Sequence, residues 1–340
     1  MTKKRISDSS FNAETDSEEY SLRPQRIAEF IGQERLRENL AVFIQAAQQR
    51  RESLDHVFLS GPPGLGKTTL ASIIAHELGV EIHSTSAPAL EKPADLAAIL
   101  TSIGRNNVFF IDEIHRLRPV VEEILYTAME DFQIDVVVGQ GPGARSLKIP
   151  LEPFTLVGAT TRPGLVSRPL HDRFAIRVRL DYYSQEELTR IIFRSASILA
   201  IAIEPEAAQR IAQCARGTPR VANRLLRRIR DFAQVWRKGL IDLEVAEGAL
   251  KALEIDSAGL DKLDRELLIA IIQKYDGGPV GSETLSICVG EAVDTLEDVY
   301  EPYLIQKGFL MRTPRGRVVT ENAYNHLGLS RKNGNQPTLF

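Results

Sequence analysis

The residues Gly61-Pro62-Pro63-Gly64-Leu65-Gly66-Lys67-Thr68-Thr69 constrain this chain more than any other stretch. They fit G-x-x-x-x-G-K-S/T, and their flanks fit as well. His56-Val57-Phe58-Leu59-Ser60 in front has the apolar run of a buried strand, and Leu70, Ile73, Ile74 and Leu78 behind fall on one face of a helix. In a strand–turn–helix of this kind the glycines let consecutive backbone N–H groups point at phosphate oxygens, and the helix N-terminus adds its positive end. Lys67 then neutralises β- and γ-phosphates, and the Thr68 hydroxyl completes a Mg²⁺ shell.

A second apolar run, Val108-Phe109-Phe110-Ile111, ends in Asp112-Glu113. A central parallel strand delivers its last residues to a site at its carboxyl edge. Paired acids on a surface are ordinarily solvated charge. At the end of a buried strand, about 45 residues after Lys67, they read as functional: Asp112 to hold Mg²⁺, directly or through water, and Glu113 to polarise the attacking water. His115 reads as a residue that orients its neighbours. Thr155 to Ala159 is a further buried strand that delivers Thr160, Thr161 and Arg162, where a hydroxyl can bond the γ-phosphate or the lytic water. Pro169 to Phe174 and a strand from Ile176 to Leu180 follow. Between these strands, Val121, Ile124, Leu125, Ala128 and Met129 make an amphipathic helix that ends at Glu130-Asp131-Phe132. Ile134 to Val138 and Ser146 to Leu151 then flank Gly139-Gln140-Gly141-Pro142-Gly143, a hairpin signal. That hairpin either shows an apolar face to a partner or packs on its own domain.

From the capping box Ser184-Gln185-Glu186-Glu187 the chain turns mostly helical, to about residue 255. Arg224, Arg227, Arg228 and Arg230 read as a solvated or subunit-facing helix side. Arg220 differs, because Pro219 starts a helix there and can aim the guanidinium. From about Asp256 a third unit shows a helix through Leu263, Leu267, Leu268, Ile271 and Ile272, a short helix after Gly281-Ser282, and one through Leu296, Val299 and Leu304. Phe309-Leu310-Met311 and Val318-Val319-Thr320 then enclose Arg312-Thr313-Pro314-Arg315-Gly316-Arg317. Three helices and a basic-tipped hairpin describe a winged helix, suited to DNA phosphates through Arg312, Arg315 and Arg317, or alternatively to protein contact.

The length of 340 residues suits about two to three domains, and the apolar fraction of 43% is that of a soluble protein. Net charge is only −3, so any nucleic-acid site must be local; residues 305–317 hold four Lys or Arg and no acid. Cys214 and Cys288 have neither metal-ligand spacing nor a disulfide framework and read as small core residues in a reduced compartment. No apolar run approaches the roughly 20 residues of a membrane span, and Met1-Thr2-Lys3-Lys4-Arg5 lacks a signal-peptide stretch; a cytoplasmic location is expected. The expected domains are a disordered tail over residues 1–20, a large ATPase domain over 21–183, a small helical domain over 184–255, a winged helix over 256–330 and a disordered tail over 331–340.

Gly61–Leu70, Ile111–Leu117, Gly158–Gly164, Val221–Arg228 and Arg312–Thr320 together closely resemble the RuvB family of AAA+ ATPases, ATP-driven motors that migrate four-way DNA junctions in bacteria. The resemblance covers about residues 20 to 330. It implies an α/β parallel-sheet P-loop domain, a small all-helical lid and a C-terminal winged helix, with ATP and Mg²⁺ as cofactors. By resemblance, Gly64, Gly66, Lys67, Thr68 and Thr69 contact phosphates and Mg²⁺, Asp112 and Glu113 are the Walker B pair, Thr161 is the first sensor and Arg220 the second. Arg173 matches an arginine finger that reaches the γ-phosphate of a neighbouring subunit. Leu22, Arg23 and Tyr183 match residues near the nucleotide base, and Glu130-Asp131-Phe132 a stretch at the subunit boundary. The hairpin between Ile134 and Leu151 resembles the element that docks the partner RuvA. The family further implies a homohexamer around duplex DNA at four-way junctions, serving recombination and repair, and the RuvC resolvase as a partner. Three residues depart from the pattern: His171 stands where Arg is expected, Ala175 where Gly is, and Val293 where Arg is common. The rival reading is an ATP-gated clamp loader or DNA-bound regulator without translocation, which usually carries a collar domain in place of the winged helix.

Overall fold

The computed structural model describes residues 22–138, 145–237 and 239–330. The two expected disordered tails and the hairpin tip Gly139–Gly143 lie outside the described residues. The chain divides into two compact units. One gathers the chain up to Gly61 with Gly66–Leu180 and Arg194–Ile201; the other gathers Pro62–Leu65, Asp181–Phe193 and the chain from Ala202 on.

The first unit is built on a five-stranded sheet of order β2-β3-β6-β1-β7. Its strands are β1 (Val57–Ser60), β2 (Ile82–Ser86), β3 (Val108–Asp112), β6 (Thr155–Thr160) and β7 (Ile176–Arg179), all parallel. β1 and β6 are buried at every position, and β3 at all but its last, the continuous apolar reading of strands covered on both faces. Helices α1 (Glu34–Arg50), α2 (Lys67–Leu78), α3 (Pro93–Ser102) and α4 (Pro119–Asp131) connect and cover them. The core joins Phe58, Phe109, Ile111, Leu125, Phe154 and Phe174, all at most 2% exposed. On α1 the face through Leu40, Ile44 and Ala47 is buried, and Phe43 is 42% exposed. The hairpin forms as expected, β4 (Gln133–Val138) antiparallel to β5 (Arg145–Pro150), with Ile134 opposite Ile149. Ile134 is buried and Leu147 is 55% exposed.

The second unit holds a helical part and a winged helix. The box at Ser184 forms in both directions: Glu187 donates its backbone N–H to the Ser184 hydroxyl, and Ser184 its N–H to the Glu187 carboxylate. It opens α6 (Gln185–Ile198), which follows the short α5 (Arg168–Asp172) of the first unit. α7 (Pro205–Cys214), α8 (Pro219–Arg237) and α9 (Leu243–Ala252) follow, with a two-residue parallel pair of β8 (Ala202–Ile203) and β9 (Leu240–Ile241) that apolar patterning does not show.

The winged helix comprises α10 (Lys262–Lys274), α11 (Ser282–Val289), the helical stretch Val293–Gln306, and the antiparallel β10 (Leu310–Thr313) and β11 (Gly316–Val319). Helical spacing places Val299 in its core, yet Val299 is 50% exposed while Leu296, Tyr300 and Leu304 are buried. A π-helical turn at Leu296–Tyr300 accounts for this, because i→i+5 bonding advances the buried face by a residue. Helical and winged parts are tied by Arg216, whose guanidinium pairs with Asp261 at 2.9 Å and with the fully buried Asp264, and packs 5.4 Å over the Tyr303 ring.

Candidate functional site

Parallel strands bring their carboxyl ends to one edge of a sheet, and here β6 lies between β1 and β3. The loop after β1, the acids ending β3 and the threonines ending β6 therefore converge within about 10 Å, two strand spacings. In the loop, Gly61, Gly64 and Gly66 have φ of 141°, 78° and 104°, a curl that side chains resist. Lys67, Thr68 and Thr69 open α2. Lys67 is 7% exposed, and its Nζ donates to the Gly61 carbonyl at 2.8 Å, so its charge is folded over the loop.

Asp112 accepts the Glu113 backbone N–H at 2.9 Å. Glu113 itself has φ 52°, a left-handed conformation costly for a non-glycine residue and concentrated at functional positions. Its carboxylate lies 3.4 Å from the Thr161 hydroxyl and 3.4 Å from Nδ1 of His115. His115, with 8% of its side chain exposed, also bonds Thr160 Oγ1 at 2.8 Å, and that oxygen accepts the Arg162 N–H at 3.0 Å. His115 thus links the Glu113 carboxylate after β3 to the tip of β6. The Thr68 hydroxyl and the Asp112 carboxylate are hard oxygen donors of the kind Mg²⁺ takes, so the residues present fit that ion.

Leu22 is 2% exposed, and its carbonyl accepts Arg194 Nη1 at 2.8 Å; Arg23 beside it is half-buried. Glu130 and Asp131 are exposed at the end of α4, whereas Phe132 turns inward, its ring 5.9 Å from that of Phe154. Arg173 reaches Glu130 at 3.1 Å. Of the departures, Ala175 keeps a negative φ and so bears no strain for want of glycine, and His171 sets its ring edge-on against Phe58 at 5.2 Å.

In the second unit, Tyr183 is buried and donates its hydroxyl to the Leu65 carbonyl at 3.2 Å. Burial pushes its phenol well above the usual range, keeping it a donor. The Arg220 N–H donates to the Gly64 carbonyl at 3.3 Å. A Cβ added to Gly64 would meet Arg220 Cβ at 3.1 Å, so the loop's second glycine admits that helix start.

At the wing the three arginines separate. Arg315 is exposed in the turn. Next to it Gly316 has φ 134°, and a Cβ there would lie 2.5 Å from the Val280 carbonyl, so only glycine turns the chain at this place. Arg317 points inward, its side chain 11% exposed, pairing with Glu301 at 2.8 Å and Glu297 at 2.6 Å. Arg312 also pairs with Glu301 at 2.7 Å but stays 48% exposed. Glu301, 1% exposed, is an acid outside the 305–317 window that neutralises part of the basic run, a partner only the folded chain supplies. The expected consequence is a split. Arg315→Ala should weaken duplex binding about equally for all sequences and reduce the salt slope by roughly one ion. Arg317→Ala should instead lower unfolding stability by about 2 kcal/mol, because it deprives a buried carboxylate of a charged partner. Salt-titrated duplex binding and urea unfolding of both variants check this.

A cation on the transferred phosphate and a carboxylate for the attacking water are the two needs of nucleoside triphosphate hydrolysis. With both at the carboxyl edge of this sheet, and a helical lid following it, the chain is a P-loop ATPase of the AAA+ class. Three family models match it in series: the Holliday junction DNA helicase RuvB P-loop domain over residues 22–180, the RuvB AAA lid domain over 183–256 and the RuvB C-terminal winged helix domain over 257–328. The Holliday junction branch migration complex subunit RuvB of Treponema denticola is 62% identical over 315 residues, 93% of this chain and 92% of that protein. The Thermotoga maritima RuvB Holliday junction branch migration motor superposes with a TM-score of 0.85 at 52% identity, covering 91% of this chain and 99% of that one. The chain belongs to the RuvB family. Among the described residues no helix is long and apolar enough to cross a membrane.

The family reading of the sequence omits Tyr126, whose ring lies 4.4 Å under the Arg173 guanidinium. Its position one helical turn before Glu130 was the available signal.

Proposed function

We propose that this chain is an ATP-driven motor that moves four-way (Holliday) DNA junctions in recombination and repair. It works in the cytoplasm as a homohexameric ring around duplex DNA, with a second ring across the junction. The convergence of Lys67, Glu113 and Thr161 at one sheet edge carries the hydrolytic part. The Treponema and Thermotoga relatives, a Holliday junction branch migration subunit and motor, support the junction as substrate.

In this reading Gly64, Gly66, Lys67, Thr68 and Thr69 bind the phosphates of ATP, and Leu22, Arg23 and Tyr183 hold the nucleotide near its base. Thr68 and Asp112 would hold Mg²⁺, which would supply charge neutralisation to the phosphates. Glu113, fixed by His115 and Thr161, orients the attacking water and takes its proton. Arg173 stabilises the charge developing in the neighbouring subunit's site, so hydrolysis requires the ring. Thr161 and Arg220 link γ-phosphate loss to a hinge-type movement of the lid, and the winged helix, gripping phosphates through Arg315 and the exposed side of Arg312, passes the duplex along without reading sequence. The β4–β5 hairpin, with Leu147 exposed, docks RuvA, and the family adds RuvC as a further partner.

The test is dissociation of a synthetic mobile four-way junction, with and without RuvA, beside a Lys67→Ala control. Dissociation that needs ATP, Lys67 and RuvA is the expected result. Hydrolysis without junction movement would favour an ATP-gated loader or regulator.

A further inference from the structure

The guanidinium of Arg173 is held on three sides by its own subunit. Its carbon lies 4.4 Å over the centroid of the Tyr126 ring. Nη2 pairs with Glu130 Oε2 at 3.1 Å, and Nη1 donates to the Pro169 carbonyl at 2.8 Å. Only 22% of the side chain is exposed, and Nε is buried without a hydrogen-bond partner.

We infer that Tyr126 and Glu130 form a seat that orients Arg173 for the neighbouring subunit's ATP, making both of them positioning residues for hydrolysis. This rests on the reading of Arg173 as a finger that acts in trans. Stacking on the ring fixes the guanidinium plane, and the two bonds fix its rotation within that plane. A guanidinium has five N–H donors in a rigid fork; two are bonded and the Nε–H is buried, so one N–H on each of Nη1 and Nη2 is left for a phosphate. The fork is oriented and still unspent, which is what distinguishes a seat from a lock.

The seat is itself fixed. The Tyr126 hydroxyl donates to the Glu122 carboxylate at 2.6 Å and lies 3.2 Å from Ser167 Oγ. Ser167 also bonds Glu122 and caps α5 through the Leu170 N–H at 3.3 Å. α4 and the segment carrying Arg173 are thereby joined, and the spacing of Glu122, Tyr126 and Glu130 puts all three on one helix face. Glu130 is 56% exposed, so its ion pair alone is weak; the stacked ring supplies the constraint that water does not screen. A long side chain left to sample its rotamers would have to be ordered at each turnover, and misplacement by about 1 Å can cost on the order of 10²-fold in rate.

The experiment measures kcat and KM for ATP with Tyr126→Ala, Tyr126→Phe and Glu130→Gln in the full-length protein, alone and mixed with Lys67→Ala subunits. Tyr126→Ala should lower kcat by about 10²-fold with little change in KM. Glu130→Gln should lower it less, and Tyr126→Phe, which keeps the ring, should retain it. Mixing Tyr126→Ala with Lys67→Ala subunits, whose fingers and seats are intact, should restore turnover and would also show that the variant folds. Undiminished or raised turnover in Tyr126→Ala would overturn the seat. So would a loss that mixing does not restore while Arg173→Ala, run in parallel, is restored. If Arg173→Ala is not restored either, the trans reading fails and the seat falls with it.

Discussion

Lys67→Ala is expected to lower ATP turnover by about 10³-fold or more while the protein stays folded. Removing a single donor from a preorganised anion site costs about 10²–10³-fold, and Lys67 contributes a full charge as well as a donor. Its side chain is buried against the loop, with Nζ on the Gly61 carbonyl at 2.8 Å, so no other cation needs to move for it to meet a phosphate. The fold tolerates the change because alanine is the best helix former at the start of α2 and the Gly61 carbonyl loses one bond. Phosphate release assayed beside thermal unfolding separates the two effects. Normal turnover in this variant would sink the assignment of the phosphate loop.

Arg173→Ala should retain nucleotide binding and lose turnover by about 10³-fold, the size expected if the residue is a finger withdrawn from phosphoryl transfer. The residue ends α5, beside α4, and its guanidinium is engaged by Tyr126, Glu130 and the Pro169 carbonyl of its own subunit. Mixing with Lys67→Ala subunits should restore activity, since each defective protomer then supplies what the other lacks. A loss of nucleotide binding in Arg173→Ala would place the residue in its own subunit's site instead.

Much of this was legible beforehand because the chemistry is local. The loop from Gly61 to Thr69, the acids after Ile111 and the capping box at Ser184 each lie within a few consecutive residues, and each formed as its pattern implied. Strand β2, Ile82-His83-Ser84-Thr85-Ser86, carries no apolar run that would mark it in the sequence. It lies at the sheet edge beside β3, where burial makes few demands on side chains. Val299 was misplaced because a π turn breaks the spacing on which the reading relied. The wing's charge was misjudged for a different reason: Glu301, which holds Arg317, lies 16 residues away from it in sequence.

The class of chemistry, the order of the parts and the family are written in the order of residues alone, since motifs made of neighbouring residues survive any arrangement of the rest. Which charges are spent internally and which stay exposed depends on how the chain packs. Arg315 and Arg317 are equal in sequence, yet one is exposed and the other is held by Glu297 and Glu301. Arg173 stood out in the sequence as a candidate finger, but the ring beneath it did not. An ion pair or a stacked ring depends on distances of a few ångströms between residues far apart along the chain, and those distances are set by packing.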